Sequence, residues 1–419
     1  MISLVDLMAE VMMRRRRRGF RRGLLAVLFC FLFGAACVAG GLWMSGRETK
    51  ESAARPRGSA VPYQEAEIEE ETVAGRFYYQ QIQEQEQTAY KEILQGVREN
   101  AEKIYIHQED AQRANELFQF VLDDFPEIFW CDGNATSTAY PSVLGTDAYV
   151  VVEPRYTYKE EEKAAKQTQV EEAAAACLSS VDAEASEYEK IKFVYEYIID
   201  TVDYDLEAPD NQNILSALVN RRSVCAGYAR STQYLLQRLG IYCAYVTGTA
   251  TDVGGTAEEH AWNLVRCDGQ YYYVDTTWGD PIFQQEEGAG AERAKTYDYL
   301  CCSQREIEKT HTLTAGFQYP ECLSEDLNYY RMNGMYYDAF DENVFLSAIY
   351  RSVEQGSAST IFKFADEALF MQSKEAIIGD LVKRGAQYLG SLYGLQEIQY
   401  SYEESPALNK ITLYWSYEE

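Results

Sequence analysis

Histidine is scarce in this chain of 419 residues: only His107, His260 and His311 occur, so any imidazole-assisted chemistry must draw on one of them. No C-x-x-C pair is present among the ten cysteines, and the adjacent Cys301 and Cys302 lack the spacing of a structural zinc site. No EF-hand loop is present either. The reading therefore expects no metal and no cofactor. No internal repeat is visible, which argues against a solenoid. Net positive charge is also missing: the formal charge is −28, and residues 1–22 hold seven arginines against Asp6 and Glu10, so the excess acid lies further along the chain. Such a surface repels nucleic acid and anionic lipid.

What is present begins with an address. "RRRRRGFRR" (Arg14 to Arg22) leads into an uncharged run of 22 residues, Gly23 to Met44, close to the roughly 20 a helix needs to cross a bilayer. The expectation is a basic cytoplasmic N-terminus (1–22), a single transmembrane helix (23–45) and everything beyond it outside the cell, by the positive-inside rule. Residues 46–74 carry Pro56, Pro62 and "EAEIEEE" without apolar periodicity and read as a flexible acidic stalk. Seven cysteines besides Cys225 then lie outside the membrane, an odd number that cannot all pair within one chain.

The rest reads as α+β. Residues 75–184 form an N-terminal segment. It has helices over 76–100 and 108–127, the second stopped by Pro126. Strands follow at "IFWCDG", ended by Asp132-Gly133, and at "AYVVVEP", ended by Pro154. Two more helices are indicated between Tyr156 and Val202. Residues 185–327 form a core: a loop with Pro209, a helix from Cys225 to Leu239, and strands "YCAYVTG", "HAWNLVRCDG" and "YYYVDTTW". Residues 328–419 make a small C-terminal α+β domain for packing or binding. Its strand is "STIFKFA", its helix "EAIIGDLVKRGAQYLGSL", and two last strands lie near "LQEIQYSY" and "KITLYWSY".

Cys225 is either a buried inert thiol or a nucleophile. Ser223 is a plausible N-cap, which places Cys225 in the first helical turn, where unpaired N–H groups and the helix dipole favour a thiolate and could also face an oxyanion. His107 and His311 sit in polar stretches and are expected to face solvent. His260 opens a strand, and Asp275 follows an apolar run in the next strand, where a carboxylate needs a partner such as an imidazole N–H. A polar site at a cleft edge contributes little to core packing, so substitutions in it are expected to leave the fold intact.

The pieces "SVCAGYA", "HAWNLV" and "YYYVDTTWGDP", in this order, resemble the transglutaminase-like superfamily over about residues 185–303, and membrane-anchored bacterial members in particular. The resemblance implies a papain-like core, with the helix carrying the cysteine packed on an antiparallel sheet. It implies Cys225 as nucleophile, His260 as general base and then acid, and Asp275 as the group that orients the imidazole. Tyr204, Tyr228, Trp262, Asn263 and Trp278 flank this triad as supporting or substrate-facing residues. The implied activity is acyl transfer through a thioester, ending in hydrolysis or in cross-linking, on a protein or peptide substrate at the cell surface. The alternative is a catalytically inactive, surface-anchored binding or structural protein on the same fold. A zinc module would need a fourth ligand that the spacing does not supply.

Overall fold

The structure, a computed structural model, describes residues 49–50, 61–63, 66–143, 147–252, 255–280, 295–395 and 399–417. No helix among the described residues is long and apolar enough to cross a membrane. The expected span at 23–45 lies outside them.

Two compact units emerge, one from the described parts of 1–75, 82–122 and 130–159, the other from 76–81, 123–129 and 160–419. The division thus falls at 159/160 rather than 184/185, because the helix Glu160–Leu178 packs with the second unit, and residues 328–419 are not separate from the core before them.

The first unit is built on a sheet of order β1-β3-β4-β2, with β1 Thr49–Lys50, β2 Ile104–Ile106, β3 Cys131–Tyr140 and β4 Tyr149–Tyr156. Helix α1 (Gln87–Arg98) buries Ala89, Tyr90, Ile93, Leu94 and Val97, a helical stripe. Two 3-10 turns, Tyr79–Gln81 and Glu84–Glu86, precede it where one continuous helix was expected. Helix α2 is Ala111–Asp124. Three further expectations need correction. The expected flexible stalk contains ordered pieces, since Thr49–Lys50 pairs parallel with Ser137–Thr138 and Glu70–Val73 forms a helical turn. Asp132-Gly133 does not end its strand, for the register shifts between Cys131 and Ala135 and the strand runs on. Pro154 does not end β4 either: it stands opposite Ala135 beside that irregularity, where the ladder is already interrupted and a missing N–H costs little.

The second unit begins with helices α3 (Glu160–Leu178) and α4 (Glu187–Thr201). Ser186 caps α4 in a capping box with Glu189. The two-residue strands β5 (Asp203–Tyr204) and β6 (Arg222–Ser223) pair in parallel, and helix α5 (Cys225–Arg238) follows. Three strands then form, β7 (Cys243–Thr251), β8 (Ala257–Cys267) and β9 (Gln270–Val274), the last two joined by the expected Asp268-Gly269 turn. A fourth strand, β10 (His311–Leu313), adds to the edge, giving an antiparallel sheet of order β10-β7-β8-β9. A single helical turn, α6 (Thr276–Gly279), leaves β9.

The C-terminal part is a sheet of order β11-β12-β14-β13, with β11 Tyr336–Tyr337, β12 Ser359–Phe364, β13 Tyr400–Ser405 and β14 Lys410–Trp415. Against it pack α7 (Glu342–Glu354), α8 (Glu367–Ala376) and α9 (Val382–Tyr393), around Phe345, Ile349, Phe362, Leu381, Leu389 and Leu413. Helix α7 was not read from the sequence, although Asp341 caps it and Phe345, Ile349 and Val353 recur at helical spacing.

Candidate active site

Cys225 is the first residue of α5. Ser223 is not the cap. It lies on β6, where its hydroxyl donates to the Asn211 carbonyl at 2.6 Å and shares a hydrogen bond of 2.7 Å with the Ser216 hydroxyl. The cap residue is Val224, in extended conformation, and no side chain covers this helix end; its carbonyl takes the N–H groups of Gly227 (2.9 Å) and Tyr228 (3.1 Å), so the N–H groups of Cys225 and Ala226 are the ones that can meet an incoming oxygen. Gly227 keeps the turn tight: a Cβ there would stand 1.8 Å from Ser223 Oγ and 3.1 Å from the carbonyl oxygens of Asn211 and Asn213. Of the eight cysteines among the described residues all are free, seven are buried, and Cys225 is half-buried.

His260 on β8 is 7% exposed. Its Nε2–H donates to Asp275 Oδ2 at 2.7 Å. Asp275 is fully buried and caps α6: Oδ1 accepts from the backbone N–H groups of Thr277 (2.8 Å) and Trp278 (3.0 Å), while its own N–H donates to the Tyr299 carbonyl at 3.0 Å. The site is therefore set into the core rather than at a cleft edge, and the expectation that any substitution leaves the fold intact does not extend to Asp275.

Electrostatics follow from that placement. Burial would push the His260 imidazole down, but the Asp275 charge and hydrogen bond, with the Cys225 side chain as a further partner, raise it from 6.5 to about 10. Burial would push the Asp275 carboxyl up, yet His260 and His311 hold it well below the usual carboxylate range. The ring is thus an imidazolium beside a carboxylate on one side and a sulfur on the other.

His311 is the residue that sequence reasoning placed in solvent. It is 2% exposed and donates from Nε2 to the same Asp275 Oδ2, at 3.0 Å. The reason for the error is tertiary: the polar context "EKTHTLTAG" becomes an edge strand whose His311 pairs with Ala250 of β7. Two residues along β7, Gly248 pairs with His260, and the two imidazole centroids lie 5.4 Å apart. His107 is half exposed, stacks on Tyr63 at 3.7 Å and hydrogen-bonds Glu92.

The flanking residues divide. Trp262 stacks on His260 (5.9 Å) and meets His311 edge-on (5.0 Å), and Trp278 lies 4.8 Å from His311 and 6.1 Å from His260, so both wall the imidazoles. Asn263 does not reach them: its amide donates to the carbonyls of Ala229 (2.9 Å) and Ala244 (3.3 Å), tying α5 to the sheet. Tyr228 is buried, its hydroxyl donating to the Val202 carbonyl (2.6 Å) with an Asp280 carboxyl oxygen 3.2 Å away. Tyr204 on β5 is half-buried, 6.1 Å from the Tyr228 ring.

The ligand atoms of His260, Asp275 and His311 lie within 4.8 Å of one another. Two hydrogen bonds already join them, and no fourth ligand completes the group among the described residues. This is a proton-linked chain.

Residues 174–276 match the model of the transglutaminase-like superfamily. They form a transglutaminase-like domain. The match contains Cys225, His260 and Asp275 and ends before His311. The chain is 26% identical over 109 residues to the kyphoscoliosis peptidase of Mus musculus and 24% identical to that of Homo sapiens, covering 23% of this chain in each case. The chain spans 16% of the length of these curated relatives. A solved transglutaminase structure aligns over 47% of this chain and 54% of its own, with 13% identity and a TM-score of 0.24.

Proposed function

We propose that the chain is a membrane-anchored, extracellular cysteine enzyme of transglutaminase-like type, with a catalytic triad of Cys225, His260 and Asp275. The buried 2.7 Å contact between His260 and Asp275, with the cysteine at an uncapped helix N-terminus, is the observation that carries this reading. The Cys225 thiolate attacks the carbonyl carbon of an amide, and the oxyanion faces the first-turn N–H groups of α5. The C–N bond breaks as His260 gives its proton to the departing amine, leaving a thioester on Cys225. Water then attacks, passes a proton to His260, and the acid departs as the thiolate returns. Hydrolysis is favoured over cross-linking, in keeping with the peptidase name of the relatives.

The substrate class is a protein or peptide at the cell surface, and the anchor is the apolar run 23–45. The chain's acidity argues against nucleic acid as a partner. The test is alkylation of intact protein by iodoacetamide at pH 7, followed by casein hydrolysis. Cys225 should be modified first, with loss of turnover, and His260→Ala should suppress both. Faster labelling of Cys243 or Cys267 would remove Cys225 as nucleophile.

A further inference from the structure

The second imidazole at the site lies outside the segment that matches the superfamily model, and the scheme above gives it no task. Its surroundings are specific. The His311 side chain is wholly buried between Trp262 (5.0 Å), Trp278 (4.8 Å) and Tyr299 (5.5 Å), and both ring nitrogens are engaged. Nδ1 faces the Thr310 hydroxyl at 2.8 Å and Nε2 faces Asp275 Oδ2 at 3.0 Å. An ionised carboxylate only accepts, so Nε2 carries the proton and the hydroxyl donates to Nδ1. The other ionisable groups acting on Asp275 are His260 on β8, Tyr195 on α4, and Tyr299 and Cys302 on the segment before β10. Neither tyrosine nor the thiol is placed to donate to Oδ2 in the hydrogen-bond pattern, which leaves the two histidines to share it.

We propose that His311 is a positioning residue of this site: its Nε2–H pins the Asp275 oxygen that receives His260, and so fixes the ring that serves Cys225. The proposal rests on the triad reading above. The physical argument is one of rotation. Aspartate's terminal torsion is soft, and the two backbone donors on Oδ1 fix one end of the carboxylate only. A second donor on Oδ2 stops it from turning with the His260 ring. A neutral donor does this without competing for the imidazolium's positive charge, and burial, with repulsion from His260, lowers the His311 imidazole against the pull of Asp275 and of the Ile307 carbonyl.

The experiment uses the full chain labelled with 15N-histidine, in which there are only three imidazoles to assign. His311 should appear as the neutral tautomer protonated at Nε2. His311→Phe, which keeps an aromatic ring but has no donor, should slow iodoacetamide alkylation of Cys225 about tenfold, in line with the cost of losing an outer hydrogen-bond partner. It should also shift the His260 Nε2–H resonance. His311→Gln, whose amide can reach the same oxygen, should recover the rate to within about threefold. A wild-type His311 protonated at Nδ1 alone overturns the proposal, whatever the variants do. An unchanged alkylation rate and His260 resonance in His311→Phe, with only the melting temperature lowered, also overturns it and leaves an ordinary core histidine. If His311→Phe fails to fold, the wild-type tautomer and the His311→Gln rate decide. Failure of the triad reading is seen separately, as unchanged Cys225 alkylation in His260→Ala.

Discussion

Cys225, His260 and Asp275 carry distinct loads, and their variants should fail in distinct ways. Cys225→Ala should abolish thioester formation and leave the melting temperature near wild type, because a half-buried thiol at a helix end gives up little packing. His260→Ala should cost nearly as much activity, since thiolate formation and leaving-group protonation share one ring. Asp275→Asn should also lose most activity, because with its amide oxygen capping α6 its NH2 group faces the His260 Nε2 and selects the wrong tautomer, and it should melt lower. Asp275→Ala should cost about 3–5 kcal/mol, the range for stranding one member of a buried ion pair, read by urea denaturation. The pH dependence has a definite sign. His260 is raised from 6.5 to about 10, so its contribution to stability is complete below pH 6.5 and is lost as pH rises through about 10. Asp275 is depressed from 3.8, so its contribution is present above pH 3.8 and is lost as acid protonates it. Melting curves from pH 4 to 10.5 should therefore show an alkaline decline that His260→Gln lacks.

Among the elements, β7 tolerates little change at Gly248. Gly248 stands between the strands that carry His260 and His311. A Cβ there would lie 2.0 Å from the Thr312 carbonyl oxygen and 2.8 Å from the Trp262 ring. The first of these is backbone and cannot rotate away, so Gly248→Ala must push β10 off the sheet. The expected cost is about 1–3 kcal/mol, with slower Cys225 alkylation because His311 moves with β10. Gly248→Ala that denatures like wild type and alkylates at the wild-type rate would show that β10 does not hold the site. The sequence reading identified β7, β8 and β9, the last two joined by the Asp268-Gly269 turn. It missed β10 because three residues of "HTL" carry no period of their own.

For the second unit as a whole, the telling feature is a buried ion cluster. Lys363 on β12 is buried and meets Asp298 Oδ1 at 3.2 Å and Glu306 Oε2 at 2.8 Å; Lys410 on β14 also contacts Asp298. Both acids lie on the segment 295–310, whose Tyr299 carbonyl accepts the Asp275 N–H and which leads into His311. The C-terminal sheet thus grips the strap that backs the site. Lys363→Met should destabilise the chain by about 1.5–3 kcal/mol, the range for a lost charge-assisted hydrogen bond, since Asp298 keeps Lys410 and Glu306 keeps Lys309. It should also slow Cys225 alkylation although the substitution touches no site residue. Proteolysis of intact cells should release the part of the chain beyond residue 45; protection of that part would refute the proposed topology.

The amino-acid sequence determined by itself the helix that begins at Cys225, the three strands after it, and the order of cysteine, histidine and aspartate that the superfamily model also matches. Those features rest on local periodicity, turn chemistry and spacing, which a linear string records. Only the tertiary structure decided that Val224 rather than Ser223 stands at the helix cap, because Ser223 found partners in Asn211 and Ser216 from a separate loop. It alone buried Asp275 among four donors drawn from three parts of the chain, and it turned His311 from a polar loop residue into the second donor on that carboxylate. Hydrogen bonds between residues 36 positions apart leave no pattern in a sequence window. They are set when β10 docks beside β7.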